Sequence, residues 1–256
     1  MVQAILANTP LYLMVFARLA GMIGMNPLLS RRNVPSSVRA ALVMLMTVLL
    51  APTLQTTGVL STGSLDLAVG MLRELFVGYV CGFVFQIYYY MIFFAGDMMD
   101  TEFGLAMAKV FDPGTNIQMS VSGNLLNLLF VLYLFATNSH LLLIRIFATS
   151  FDIVPIGGVH FSPDTAQFIL QLFASVFSLV LRLAAPFIAA EFIVELSMGV
   201  LMKLIPQIHV FVLNIQLKLL LGLILLLAFA GPVGTFIDNY QKLMFEMMEK
   251  ALYAMA

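Results

Sequence analysis

Long apolar segments alternate with short polar segments along the whole chain. An α-helix needs about 20 residues to cross the hydrocarbon core of a bilayer. The segments without Asp, Glu, Lys or Arg are about that long or longer, and they cover residues 40–65, 75–96, 113–144 and 219–237. This pattern predicts apolar helices that are long enough to enter a membrane.

Proline, glycine and polar residues divide this pattern into predicted helices. These cover residues 4–29, 38–51, 65–95, 124–147, 165–203, 208–230 and 235–256. The helix over 165–203 is too long for one straight span, and Pro186 inside it predicts a kink or a division. The last helix has apolar side chains on one face and charged side chains on the other, with Phe245 as the main exception. It is therefore predicted to be amphipathic, lying on a membrane surface or packing on a partner.

Charged residues lie inside the apolar segments or at their edges. They are Arg18, Arg73, Glu74, Arg145, Arg182, Glu191, Glu195 and Lys218. A charged side chain that faces lipid is costly, so such residues normally face a protein interior or water. We expect the helices to bury their sides against partners, and each buried charge to meet an opposite charge across a helix interface.

Composition places the chain among membrane proteins. Of its 256 residues 62% are hydrophobic and only 10% are charged, and the mean hydropathy is +1.03. A soluble domain of this length would expose far more charge. The net charge of −1 argues against nucleic acid as a partner, because the chain has no basic patch to neutralise phosphates.

The sequence contains no familiar catalytic motif. It lacks a Gly-x-Ser-x-Gly elbow, a His-Glu-x-x-His helix and a phosphate-binding glycine loop. Glu191 and Glu195 are one helical turn apart, but without a histidine, cysteine or metal cluster near them in sequence a buried polar contact is favoured over an acid–base pair. We therefore expect a protein that is not an enzyme and that uses no cofactor or metal.

The charges near the predicted helix ends give conflicting signals about orientation. Arg31, Arg32 and Arg39 place the first loop on the cytoplasmic side by the positive-inside rule. Simple alternation then returns residues 97–123 to the cytoplasm, although that region has one lysine and four acidic residues. Either one predicted span does not cross the membrane, or the final position of the protein is not a conventional one in the bilayer.

The least hydrophobic part of the chain is this central region. Asp112-Pro113-Gly114 is a strong turn signal, because proline presets φ and glycine allows positive φ. The polar stretch that follows is interrupted by Ile117, Met119 and Val121 at alternate positions. It is either an ordinary connection or a functional loop, and its length and mixed character favour the second.

Glycines in the third predicted helix include Gly78 and Gly82, a Gly-x-x-x-Gly pair. Such a pair allows two helices to approach closely. The alternative is that it reflects only the glycine content of an apolar helix.

An ordered series of motifs resembles the FliR family of flagellar biosynthetic proteins. In the first half they are Pro27-Leu28-Leu29, Val34-Pro35, Arg39, Arg73-Glu74, Gly78 and Gly82. In the centre they are Gly96-Asp97, Gly104-Leu105-Ala106 and Phe111-Asp112-Pro113-Gly114. In the second half they are Pro186, Glu195, Gly199, Pro206-Gln207, Val210-Phe211, Leu217-Lys218 and Gly222. The resemblance covers almost the whole chain, although Lys203 stands where arginine is expected and His209 where asparagine is common.

The resemblance implies an all-α fold of hydrophobic helical hairpins. Residues 1–164 would form a FliP-like part with a central plug loop at 111–123, and residues 165–256 a FliQ-like hairpin followed by the amphipathic helix. The plug residues implied are Phe111, Asp112, Pro113, Gly114, Ile117, Met119 and Val121. The buried or inter-subunit charges implied are Arg73, Glu74, Glu191, Glu195, Lys203 and Lys218.

The same resemblance implies a core structural subunit of the flagellar type III protein export gate. One copy would complete a helical ring with FliP and FliQ subunits and would meet FlhB and FlhA. Unfolded export substrates, among them rod proteins, would pass through the ring. The implied location is the bacterial inner membrane and flagellar basal body, with the assembled ring largely above the bilayer plane.

Two alternatives to a flagellar export subunit remain at this stage. An injectisome export-gate subunit shares these motifs, so neighbouring genes are needed to distinguish it. A small-molecule transporter or channel subunit would also have charged spans, but it is expected to show inverted repeats with broken helices, and none is recognisable here.

Overall fold

The computed structural model describes residues 8–29, 34–54, 63–105, 120–159, 163–205 and 210–256. These residues form helices, turns and connections, with no β-strand among them. The helices are α1 (Thr9–Met25), α2 (Ser36–Leu50), α3 (Ser64–Glu102), α4 (Val121–Ala136), α5 (Ser139–Ile153), α6 (Pro163–Leu204), α7 (Val210–Ala228) and α8 (Ala230–Tyr253). A 3₁₀ turn, Ala51–Thr53, directly follows α2. The predicted all-α fold is confirmed.

Two of these helices are far longer than a bilayer span requires. α3 has 39 residues and α6 has 42 residues. At about 1.5 Å per residue they extend roughly 58 and 63 Å, about twice the thickness of a hydrocarbon core. Pro186 lies inside α6, which continues through it, so the segment is not divided there.

The apolar run predicted as one helix over 124–147 is two helices in the structure. Asn138 has a φ of 57°, in the left-handed region that asparagine tolerates better than most residues. It separates α4 from α5. The apolar pattern hides the break because both helices are hydrophobic.

The structure contains two compact units, and three helices contribute to both. Unit 1 consists of Met1–Tyr88, Asn138–Phe173 and Lys242–Ala256, and unit 2 of Tyr89–Thr137 and Ala174–Gln241. α3, α6 and α8 therefore each run from one unit into the other. The boundary predicted after residue 164 follows a different criterion, the likeness to FliP and FliQ, and it stays a prediction.

Helix α8 has the amphipathic pattern that its sequence predicts, but the buried face is rotated. Ile237, Met244 and Met248 are fully buried, whereas Phe236 and Met247 are only partly buried. Phe245, the apparent exception in the sequence, belongs to the buried face at 3% exposure. The sequence pattern predicts an apolar face of Phe236, Tyr240, Leu243, Met244, Met247 and Ala251, and three of these six side chains, Tyr240, Met244 and Ala251, are buried.

Large apolar side chains remain exposed on several helices. On α4 they recur every three or four residues, at Val121, Leu125, Leu128, Leu132 and Phe135. By length and composition, three stretches are able to cross a membrane, namely Ser36–Thr53, Ser64–Glu102 and Gln167–Leu204, or up to five if each bent helix pair is one span. An apolar surface of this extent is typical of contact with lipid or with other subunits.

Candidate functional site: buried charges and the anchor of the central loop

Helices α1 and α3 approach each other through three glycines. A Cβ atom on Gly78 would overlap the backbone carbonyl group of Arg18. A Cβ on Gly21 would lie 2.5 Å from the carbonyl oxygen of Leu75, and one on Gly82 would lie 2.9 Å from a carbonyl oxygen of α1. Hydrogen in place of a side chain is therefore required at this crossing, and Gly78 and Gly82 are part of a close helix contact.

This crossing brings together two charges that are 56 residues apart in sequence. Nε of Arg18 donates to Oε2 of Glu74 at 2.6 Å. Arg18 is 0% exposed and Glu74 is 1% exposed. Since a buried charge is stable only with an opposite charge and further hydrogen bonds, the remaining partners of this pair decide whether it is tolerated.

One terminal nitrogen of Arg18 and the second carboxylate oxygen of Glu74 bind the backbone around the end of α5. A terminal nitrogen of Arg18 donates to the carbonyl oxygens of Ser150 at 2.8 Å and Val154 at 2.7 Å. Oε1 of Glu74 accepts a hydrogen bond from the backbone N–H of Gly157 at 2.9 Å. Gly157 has a φ of 81°, a conformation that favours glycine. One ion pair therefore joins α1, α3, α5 and the turn after α5.

The other charges in the predicted set differ widely in exposure. Arg73 and Lys203 are exposed. Glu191 is 0% exposed, and neither of its carboxylate oxygens has a hydrogen-bond partner among the residues that the structure describes. Nζ of Lys218 lies 3.3 Å from Oε2 of Glu195, whose side chain is 58% exposed. The assignment of these residues to inter-subunit contacts stays a prediction.

The Glu195–Lys218 pair lies beside an apolar groove between α6 and α7. The groove has a volume of about 310 Å³ and is lined mainly by Ile193, Val194, Met198, Leu217, Leu220, Leu221 and Ile224. Its lining is apolar apart from Ser197, and neither Glu195 nor Lys218 is part of it.

The central loop is held at one end by a buried aspartate. Asp100, 1% exposed, lies in the last turn of α3. Its carboxylate accepts hydrogen bonds from the hydroxyl of Ser120 at 2.7 Å and from the backbone N–H of Ser122 at 3.1 Å. The Ser120 hydroxyl oxygen in turn accepts the N–H of Gly123 at 2.8 Å, which caps α4. The first turn of α4 is thereby fixed against the end of α3.

Most of the predicted plug residues lie outside the described part of the chain. These are Phe111, Asp112, Pro113, Gly114, Ile117 and Met119. Val121 is described, and it is the first residue of α4 with 61% exposure. On the other side of the loop, Phe103 is buried at 1% exposure and Gly104 has a φ of 75° directly after α3. The C-terminal end of α3 therefore lies next to the loop on both sides: Phe103 and Gly104 follow this helix in the chain, and Asp100 in its last turn binds Ser120 and Ser122.

Sequence reasoning listed Arg18 among the charges in apolar runs but did not identify its partner, and it counted Asp100 only as part of a local charge balance. No local pattern indicates a partner 56 residues away. Part of the contact around Asp100 could have been predicted, because serine is a preferred residue at the N-terminal cap of a helix and Ser120 caps α4. The acceptor of the Ser120 hydroxyl, the carboxylate of Asp100, lies on another helix, and no local sequence pattern indicates it.

Asp100→Ala is expected to lower the stability of the chain by about 1–3 kcal/mol, because a buried hydroxyl and a backbone N–H lose their acceptor. Amide hydrogen exchange of the α4 N-terminus should become faster in the assembled protein. The control is Asp152→Asn at an exposed position, which should leave exchange unchanged. Equal exchange in both variants would show that Asp100 does not hold α4.

Among the residues that the structure describes, no group of three or more His, Cys, Asp or Glu side chains is arranged to hold a metal ion. The contacts described above join helices and fix one end of the central loop.

Comparison with known proteins finds one family over nearly the whole chain. The model of "Bacterial export proteins, family 1" matches residues 9–246. Flagellar biosynthetic protein FliR of Escherichia coli (strain K12) is 28% identical over 240 residues, which are 93% of this chain and 91% of that protein. The protein of the same name from Bacillus subtilis (strain 168) is 26% identical over 95% of both chains. That of Caulobacter vibrioides is 27% identical over 90% of this chain and 93% of its own length.

Proposed function

Because this chain belongs to family 1 of the bacterial export proteins, we propose that it is a core structural subunit of the gate for flagellar type III protein export. Its relatives named flagellar biosynthetic protein FliR make it a component of the flagellar export apparatus. Several apolar helices fit a membrane-associated part of that apparatus. The proposal includes no catalytic activity and no cofactor.

The observation that supports a subunit in a larger assembly is the kind of surface that the helices expose. Apolar side chains such as Leu128 at 64% and Leu196 at 56% are exposed, and the charged residues Arg145 and Glu195 are exposed as well. Lipid would cover the apolar side chains but not the charges. Other helical subunits with matching charges can cover both.

We infer that the partners are FliP and FliQ subunits in a hetero-oligomeric helical ring, which meets FlhB and FlhA. Unfolded export substrates, including rod proteins, pass through it. The ring is placed at the inner membrane in the flagellar basal body, largely above the bilayer plane. The lengths of α3 and α6, 39 and 42 residues, support this position because each helix exceeds the bilayer thickness.

The central loop at 111–123 is proposed to close the gate. A pore for an unfolded polypeptide would leak ions at rest unless a segment filled it. Support comes from the flanks of the loop: Asp100 fixes Ser120 and Ser122, and Phe103 is buried on the other side. A loop that is anchored at its C-terminal end can occupy one position in a closed pore and still leave it when a substrate enters.

Deletion of residues 108–118 tests this proposal, since it removes most of the loop and retains the contacts of Asp100 with Ser120 and Ser122. We expect the ring to assemble, as measured by co-isolation of the FliP and FliQ subunits, and the cell membrane to become leaky to small ions. The control is deletion of residues 56–61, between α2 and α3 in the sequence, and this variant should assemble without a leak.

The two parts of the proposal fail separately in this experiment. If the intact chain does not co-isolate with the FliP and FliQ subunits, the assignment to the export gate is wrong. If the shortened chain assembles and conductance stays at background, closure comes from the partner subunits and the loop is only a connector.

A further inference from the structure

The residue that directly follows α3, Phe103, packs against both α6 and α7. Its side chain is 1% exposed and is among the largest that the protein buries completely. The ring meets that of Phe187 on α6 edge to face, with 6.1 Å between the two ring centroids. On α7 it lies against Gly222, where a Cβ atom would be 2.6 Å from the Cγ atom of Phe103. Phe103 therefore occupies a seat that two helices form together.

Gly222 is the position at which the rest of the chain covers α7. Residues 219–227 of this helix are Leu and Ile apart from this one glycine. Glycine is less favourable than alanine inside a helix, so a structural requirement is expected where it occurs. Among residues 213–228, whose exposure the structure describes, Gly222 alone is buried. The ring of Phe103 is that requirement, because a larger residue at this position would overlap it.

The same end of α3 also holds the start of α4. Asp100, three residues before Phe103, accepts hydrogen bonds from Ser120 and Ser122. Gly104 has a φ of 75°, which ends the helix directly after Phe103 and turns the chain away from the helix axis. The chain around the end of α3 is thus bound to α4 through a carboxylate and to α7 through an aromatic ring.

We propose that Phe103 is a positioning residue of the gate, which fixes the N-terminal end of the central loop to α6 and α7 through its seat on Phe187 and Gly222. The chain enters the loop directly after this contact, so the direction in which it leaves α3 depends on where the ring lies. The effect on the closed gate rests on the proposed function, whereas the position of the loop end rests on the contact alone.

The substitution Gly222→Ala tests this by adding one methyl group to the seat. The methyl group would meet the base of the ring, at Cγ and both Cδ atoms, so the whole Phe103 side chain has to move and not only its far end. A thiol at the half-buried position Leu105→Cys reports on that movement. In the complete assembly we expect a water-soluble maleimide to modify this thiol several-fold faster when Gly222→Ala is present. The resting membrane should also become leaky to small ions.

Three further variants separate the contact from a general effect on stability. Phe103→Leu in the Gly222→Ala chain makes room for the methyl group, and it should return the modification rate and the leak toward the parent values. Phe103→Ala removes the ring without a clash and should give both effects even if Gly222→Ala does not assemble. Gly231→Ala is the control, since a Cβ there would meet no atom within 4 Å, and it should change neither readout.

Two measurements accompany every variant. Co-isolation of the proposed partner subunits shows that the ring has assembled. The parent chain without the Leu105→Cys substitution supplies the blank for the maleimide, because its one cysteine, Cys81, is buried.

Three results would overturn the proposal. If assembled Gly222→Ala and Phe103→Ala variants modify the thiol at the parent rate, the ring does not hold the loop end. If Phe103→Leu restores neither readout, the effect of Gly222→Ala does not pass through the ring. Faster modification without a leak, where deletion of residues 108–118 does cause a leak, would show that the contact contributes nothing to closure.

Failure of the proposed closure gives a different pattern. Deletion of residues 108–118 would then assemble without a leak, whereas the thiol at Leu105→Cys would still be modified faster in the Gly222→Ala and Phe103→Ala variants. That pattern would leave the contact as the support of the loop end and remove the gate from its role.

Discussion

Replacing Glu74 with alanine is expected to destabilise the chain by about 3–5 kcal/mol, the usual cost of leaving one member of a buried ion pair without its partner. Arg18 would keep two backbone acceptors but lose its only carboxylate within hydrogen-bonding distance among the described residues. The N–H of Gly157 would lose its acceptor too. The amount of chain retained in membranes, and the temperature at which the solubilised assembly dissociates, should both fall.

The matched control is Glu249→Ala, which removes a carboxylate from an exposed position of α8 in the same compact unit. It should change the dissociation temperature little. The double variant Arg18→Met with Glu74→Leu should recover part of the loss because no charge is then stranded, although the N–H of Gly157 still lacks its acceptor. A Glu74→Ala assembly as stable as the Glu249→Ala assembly would show that the pair contributes nothing to stability.

Gly78→Ala is expected to cost about 3 kcal/mol or more, because its Cβ would meet backbone and not a flexible side chain. The carbonyl group of Arg18 is the first atom group in its way. α1 must move away from α3, and that movement also lengthens the Arg18–Glu74 contact. We expect the variant chain to fail to accumulate in the membrane and the cells that depend on it to lose motility.

Gly24→Ala serves as the control, since it makes the same change on α1 where a Cβ would meet no atom within 4 Å. It should be neutral or raise stability by about 0.5–1 kcal/mol, the helix preference of alanine over glycine. If both variants accumulate equally, the helices are able to separate without loss and the close crossing has no structural importance.

The sequence was sufficient for the class of the protein and for the positions of its helices. Apolar segments of helical length separated by Pro, Gly and polar residues are a local signal, and the helices lie close to where this signal places them. Local signals did not predict the helix boundaries where the same composition is compatible with one continuous helix or with two. The break at Asn138 lies within a continuous apolar run, and Pro186, which was predicted to kink or divide its segment, does not divide it.

Most of the predicted plug loop stays a prediction, because Phe111 to Met119 lie outside the described residues. The anchor of the loop, by contrast, is observed, since the structure describes the contacts of Asp100 with Ser120 and Ser122. The turn signal at Asp112-Pro113-Gly114 announced a loop, but the residues that hold its end come from α3 and are not recognisable as such in the sequence.

By itself, the sequence determined that this chain is an all-helical, membrane-directed protein with charges inside apolar segments, and its ordered motifs determined the family. These properties follow from composition and short-range periodicity, which a linear chain displays directly. Only the tertiary structure decided which of two adjacent charges is buried, Arg73 being exposed and Glu74 paired with Arg18. Helical rotation turns neighbouring residues by about 100°, so the inward position depends on where the glycines let α1 and α3 cross, and that crossing joins residues far apart in the chain.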